Sequence, residues 1–182
     1  MGTSRYVEDA EWADILRLMR KENALAIKCA LTTGMRISDV LALKKSDIER
    51  ATEGDGHIWI TEQKTQKRRR IYLGAQLRKE LRGIYRHGSP FVWAHRTRRE
   101  AHRTREAVYK DLCRAADLLR LKGCVTPHSA RKTYAVRYMD AGHTLLQAMR
   151  LLKHSSPSVT AIYAFADIQL EREKRRSSKR QR

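Results

Sequence analysis

The stretch TPHSARKTYAVRYMDAG, residues 126–142, carries the clearest punctuation in the chain. Thr126 is a good helix cap, and Pro127 suits the first helical position, where its missing N–H would have no partner anyway. The spacing predicts a helix running to about Asp140 and closed by Gly142. His128 and Arg131, three residues apart, fall in its first turns and share a face. Free backbone N–H groups there already favour an anion. By itself an H-x-x-R pair reads first as a solvated surface pair.

Toward the C-terminus, Thr144 can cap a helix through Leu145, Met149 and Leu152. Ser156-Pro157 repeats the cap-plus-proline signal and opens a helix holding Val159, Ile162 and Tyr163. After Leu170 comes EREKRRSSKRQR, with seven basic and two acidic residues. This is the composition of a tail disordered until it meets a partner. Toward the N-terminus, a long basic helix is expected over about 98–120, after the short apolar run Phe91-Val92-Trp93. Another helix is expected over about 75–87, broken by Gly88-Ser89-Pro90. Residues 57–73 change period: HIWI and RIYL are β-branched and aromatic runs split by TEQKTQKRR, the pattern of a small antiparallel sheet with a basic turn. The first 43 residues read as helices: one with Glu8, Asp9 and Glu11 early and Trp12, Ile15, Leu16 and Met19 at helical spacing, one near Ala24 to Thr32, and a third capped by Ser38 through Val40, Leu41 and Leu43. Gly34 accepts a left-handed backbone and stops the second, which leaves Arg36 in a tight elbow.

Composition narrows the function. Lys and Arg number 39 against 20 acids in 182 residues, a formal charge of +19. A surface that basic repels itself unless a polyanion is near, so nucleic acid is the natural partner and an anionic membrane face the runner-up. No apolar run approaches the roughly 20 residues that span a bilayer, and the MGTSRYVEDAEW start offers no signal-peptide core. Cys29, Cys113 and Cys124 are odd in number and widely spaced, which suits buried small apolar residues rather than disulfides or zinc. The histidines at 57, 87, 95, 102 and 143 show no metal spacing. Trp12, Trp59 and Trp93 read as core residues.

Three segments in order, LTTGMRISDVLALKKSDI (31–48), HSARKTYAVRYMDAG (128–142) and LLKHSSPSVTAIYA (151–164), resemble the catalytic domain of the tyrosine recombinases, the phage integrase family. The resemblance covers roughly residues 8–167. It implies Arg36 as the first catalytic arginine, His128 and Arg131 as the histidine-x-x-arginine box, His154 as the late histidine and Tyr163 as the nucleophile. It also implies a hairpin lysine, for which Lys64 fits and Lys67 is the alternative. Asp39, where the family has an acid, would brace the arginine or a histidine, or simply suit the helix dipole. Two positions depart from the pattern: Lys153 stands where glycine is common, and Lys132 where histidine is frequent.

The resemblance implies a mainly α-helical (α+β) fold with a small antiparallel sheet, residues 1–170 as the catalytic domain and 171–182 as a basic, flexible tail. The implied activity is site-specific recombination through a covalent 3′-phosphotyrosine, with no metal, ATP or other cofactor. Double-stranded DNA would be the partner, a homotetramer would form on synapsed DNA, and no membrane would be involved. The location would be a bacterial or phage cytoplasm. Lys67, Arg68, Arg69, Arg70, Arg96, Arg98, Arg99 and Arg103, with Arg105, are the expected DNA contacts. The family carries an N-terminal helical domain in front, whereas this sequence begins almost directly at the expected catalytic domain, as either a part of a longer chain or a naturally short member would. Two other classes stay open: a type IB topoisomerase-like enzyme that nicks and reseals, and a DNA-binding relative without catalysis.

Overall fold

The computed structural model describes residues 4–144 and 146–148. The chain divides into two compact units, residues 1–134 and 135–182. Among the described residues the elements are α1 (Asp9–Leu18), α2 (Lys21–Thr33), α3 (Ile37–Leu41), α4 (Lys45–Glu53), β1 (His57–Thr61), β2 (Arg68–Tyr72), α5 (Ala75–Arg82), α6 (Arg105–Leu118) and α7 (Pro127–Asp140), which runs from the first unit into the second. The helical class with one small antiparallel sheet is the expected one.

In the first unit α2 is the central helix, packed against α1, α3, α5 and α6. Its sequence explains the position: Leu25, Ala26, Ile27, Cys29, Ala30 and Leu31 are all buried, and a helix apolar nearly all round has to lie inside. Burial pushes the Cys29 thiol up to about 12. Cys113 and Cys124 are only half-buried, and all three are free. Trp12 and Trp93 are core residues as expected, their indole N–H groups donating to Thr133 Oγ1 at 2.9 Å and to the Glu22 carbonyl at 2.8 Å.

Several expectations change, among them the helix expected over about 75–87, which stops at Arg82. Trp59 is 54% exposed, because strand alternation turns it outward from Ile58 and Ile60, and the Arg68 guanidinium lies over its ring. Ser38 sits inside α3, which opens after Arg36 with no side-chain cap and stops at Leu41. The chain then forms α4, whose backbone start is held by Asp47 accepting from Lys44 N–H, and which buries Ile48 and Ala51. The basic helix begins only at Arg105, capped by the Thr104 hydroxyl. The residues before it form an irregular loop in which Ala94 bridges His102. That loop is pinned to α2 by Arg103, which pairs with Glu22 and donates to Asn23 Oδ1 at 2.7 Å.

β1 and β2 pair antiparallel, with Ile58 opposite Ile71, Ile60 opposite Arg69 and Thr61 opposite Arg68. Ile58, Ile60, Arg69 and Ile71 face inward.

Gly34 ends α2 with φ +65°. A Cβ there would stand 2.5 Å from Tyr134 Cε1, well inside contact distance, and the left-handed backbone itself disfavours any other residue. Gly34→Ala is expected to cost about 2–4 kcal/mol, overpacking of roughly 1–3 added to about 1–2 for the left-handed backbone. A urea midpoint within error of the wild type would contradict this.

In the described part of the second unit, Tyr138 stacks on His143 with centroids 3.9 Å apart. Thr144 caps as expected, exchanging hydrogen bonds with Gln147 at 2.7 and 3.2 Å. Leu145, the expected continuation of that helix through Met149 and Leu152, His154, the helix expected after Ser156-Pro157 with Tyr163, and the basic tail lie outside the described residues. Among the described residues no helix is long and apolar enough to cross a membrane.

Candidate active site

Arg36 leaves the elbow after Gly34 as an extended residue just before α3. It is half-buried, 20% exposed, and its guanidinium donates to Glu62 Oε2 at 3.0 Å. Arg131 comes from α7, on the far side of the sequence. Only 2% exposed, it donates to the Gly34 carbonyl. The elbow therefore brings two distant arginines together: Gly34 turns the chain toward Arg36 and offers its own carbonyl to Arg131.

Glu62, at the first position past β1, is 1% exposed. Its Oε1 accepts from Arg69 at 3.0 Å, and its Oε2 accepts from the Thr65 hydroxyl at 2.6 Å as well as from Arg36. Burial opposes its ionisation, but the hydrogen bonds from Thr65, Arg69 and Arg36 prevail and draw the carboxyl down to about 2. Asp39, in the first turn of α3, accepts the Gln63 N–H at 3.0 Å. Burial pushes its carboxyl up from the ordinary value, against the Gln63 hydrogen bond and the Arg36 charge. Burial, with repulsion from Arg36 and Arg69, pulls Arg131 down to about 10. It remains charged at neutral pH.

Three arginines (36, 69, 131) meet two acids (39, 62), which leaves the cluster with a surplus of positive charge. A phosphodiester would cancel it. Guanidinium forks fixed in place before the anion arrives are suited to charge on non-bridging phosphate oxygens.

Lys64 lies exposed in the turn between Gln63 and Thr65, and Lys67 is exposed at its far end. The Glu62 N–H donates to the Lys67 carbonyl at 3.1 Å and closes that turn. His128 is exposed at the start of α7, its N–H donating to Thr126 Oγ1 at 3.1 Å. The structure thus assembles Arg36, Arg131, Asp39 and the lysine hairpin, and places His128 one turn from Arg131 on the same helix. His154 and Tyr163 fall outside the described residues.

The expected DNA contacts divide. Lys67, Arg68, Arg70, Arg96, Arg98 and Arg99 are exposed, although Arg70 also pairs with Asp55. Arg69 and Arg103 are instead paired within the fold. Arg69 is 7% exposed, turned inward by the alternation of β2 and spent on Glu62. Arg103 is spent on Glu22 and Asn23. Arg105 is exposed at the start of α6 and pairs with Glu106. Glu62 is the residue that the sequence reading missed. The signal was present, since Ile58, Ile60 and residue 62 alternate onto the same inward face.

The model of the phage integrase family matches residues 5–169. The putative integrase/recombinase y4qK of Sinorhizobium fredii is 35% identical over 144 residues, 79% of this chain and 46% of that protein. The probable integrase/recombinase YoeC of Bacillus subtilis is 30% identical over 140 residues, 75% of this chain and 74% of that protein. Among solved structures, the XerH site-specific recombinase bound to a palindromic difH substrate superposes with a TM-score of 0.67 at 24% identity, over 87% of this chain and 48% of that one. The chain spans 46% and 56% of the first two curated relatives, about half their length. A family match over nearly the whole chain, the shared fold and the paired arginines beside a lysine hairpin agree: the chain belongs to the phage integrase family, the tyrosine recombinases.

Proposed function

We propose that this chain is the catalytic domain of a site-specific DNA recombinase. The observation that carries the reading is the convergence of Arg36 and Arg131 on Gly34 and Glu62, beside a hairpin turn bearing Lys64. In the proposed reaction the Tyr163 hydroxyl oxygen attacks the scissile phosphorus. The bond from phosphorus to the 5′ oxygen breaks as the new bond forms. Arg36 and Arg131 hold the non-bridging oxygens, where negative charge accumulates. Lys64 gives its proton to the departing 5′ oxygen, and His128 assists removal of the phenol proton. His154 hydrogen-bonds the phosphate. The products are a 3′-phosphotyrosine and a free 5′-hydroxyl. The ester retains the bond energy, so resealing is the same path reversed, with the 5′-hydroxyl of either strand as the attacking group. Recombination would take place on duplex DNA in a bacterial cytoplasm, by a homotetramer that assembles on two synapsed sites.

The direct test is a duplex carrying a nick just 3′ of candidate cleavage positions, from which the short 5′-hydroxyl fragment diffuses away and traps the adduct. Protein that shifts covalently on a denaturing gel supports the reading. Relaxation of any supercoiled plasmid by a monomer, without strand exchange, would instead indicate a nicking-resealing enzyme.

DNA affinity should rest mainly on phosphates, with log affinity falling linearly against log salt. Removing residues 171–182 removes seven basic and two acidic residues, a net +5. The truncated chain is expected to bind DNA with a shallower salt slope, measured by fluorescence anisotropy between about 50 and 200 mM salt. An unchanged slope would place the tail off the DNA.

A further inference from the structure

We infer that Glu62 is a positioning residue that sets the distance between the arginine clamp and the lysine hairpin. The inference rests on the recombinase reading above.

A single carboxylate oxygen, Oε2, accepts from both Arg36 at 3.0 Å and the Thr65 hydroxyl at 2.6 Å. Arg36 belongs to the elbow before α3, and Thr65 is the residue immediately after Lys64. On the other side of Lys64, the Gln63 N–H is held by Asp39 Oδ1 at 3.0 Å. Lys64 is therefore the exposed residue between two anchored neighbours, and both anchors are acids that also attend the arginine site. The Glu62 backbone completes the frame. Its carbonyl accepts the Gln66 N–H at 2.8 Å and its N–H donates to Lys67 at 3.1 Å. A six-residue polar turn without such ties would sample many conformations. Here one buried side chain and the backbone of the same residue fix both its ends and its middle.

A fold-stabilising ion pair would need only Arg69 and Glu62, the inward pair of the hairpin. The second oxygen has a different job. It is shared between a side chain expected to hold non-bridging oxygens and a turn expected to deliver a proton to the bridging one. These two oxygens are bonded to the same phosphorus, so their protein partners must keep a fixed separation. Misplacement by about 1 Å can cost on the order of 10²-fold in rate.

The test compares single-turnover cleavage by the wild type, Lys64→Ala, Thr65→Val and Glu62→Gln, on normal DNA and on DNA with sulfur in place of the bridging 5′ oxygen. Sulfur leaves without a proton, so it removes the demand on Lys64 alone. Thr65→Val keeps the shape and loses only the hydroxyl. It is expected to be slower by about 10-fold on normal DNA and to be restored by sulfur, since only the turn has lost its tie. Glu62→Gln keeps the volume but sets an amide against two guanidinium groups. It is expected to be slower by about 10²-fold on normal DNA and only partly restored by sulfur, because the looser Arg36 still serves the non-bridging oxygens. DNA affinity should stay within about twofold in both, as the phosphate contacts that dominate it lie elsewhere.

Melting temperatures of all four proteins guard against a merely structural effect. If the Glu62→Gln defect vanishes when each protein is assayed equally far below its own melting point, Glu62 only supports the fold and the inference fails. It also fails if Glu62→Gln cleaves normal DNA at the wild-type rate, or if sulfur restores it fully. If the wild type joins neither substrate, the recombinase reading itself fails, an outcome distinct from the others.

Discussion

Tyr163→Phe is expected to abolish covalent joining to DNA while leaving duplex affinity within about twofold. The phenol oxygen is the atom that would bond to phosphorus, and removing it leaves nothing to attack with. Nothing else about the ring changes, so the remaining contacts with DNA should persist. No partial activity is expected, because neither arginine clamping nor proton delivery can create an adduct without a nucleophile. The nearest competitors are Tyr134 and Tyr138, both on α7. Tyr134 lies with its ring over Gly34, where it fills the space a Cβ would take. Tyr138 is stacked on His143. Both rings have packing duties within the fold that a nucleophile free to approach phosphorus would have to give up. An adduct that persists in the Phe variant, mapped by digestion to a peptide from α7, would transfer the role to one of them.

The parts of the site legible in the sequence are those fixed by local rules. Gly34 announced the end of α2, and the left-handed backbone found there is what glycine allows and other residues resist. Thr126-Pro127 announced α7. The period-2 runs around residues 58 and 71 announced the hairpin. What escaped depended on partners remote in sequence, or on reading charge in blocks. Arg103 lies 81 residues from Glu22, and nothing local predicts that pairing. The block KRRR at 67–70 looked like one basic surface. On a strand, however, neighbours point to opposite sides, so Arg68 and Arg70 face out while Arg69 faces in with Ile71. The same rule turns Trp59 outward and Glu62 inward. A buried Glu and a buried Arg on one inward face are costly to desolvate unless they meet, and here they do. Applying alternation to the charged residues as strictly as to the apolar ones would have located this pair.

The separation of proton delivery from phosphate clamping gives the most discriminating expectation. If Lys64 protonates the leaving 5′ oxygen, Lys64→Ala should be slower on normal DNA by about 10²–10⁴-fold, the usual worth of a general acid. On the sulfur-bridged substrate the same variant should approach the wild-type rate, because a thiolate departs without a proton. Arg36→Ala and Arg131→Ala should be slow on both substrates, since their partners are the non-bridging oxygens, which the substitution leaves unchanged. Lys67 supplies the internal control: it has the same charge, lies three residues away and is exposed in the same turn. The turn geometry favours Lys64. Its two neighbours are tied to Asp39 and Glu62, the acids beside Arg131 and Arg36, whereas Lys67 is anchored through its own carbonyl, at the last position before β2. Lys67→Ala is therefore expected to weaken DNA binding modestly, with no difference between oxygen and sulfur. If sulfur instead rescues Lys67→Ala, the roles of the two lysines are exchanged. If it rescues neither, the proton comes from another group, and His128, exposed one turn before Arg131, becomes the first to replace.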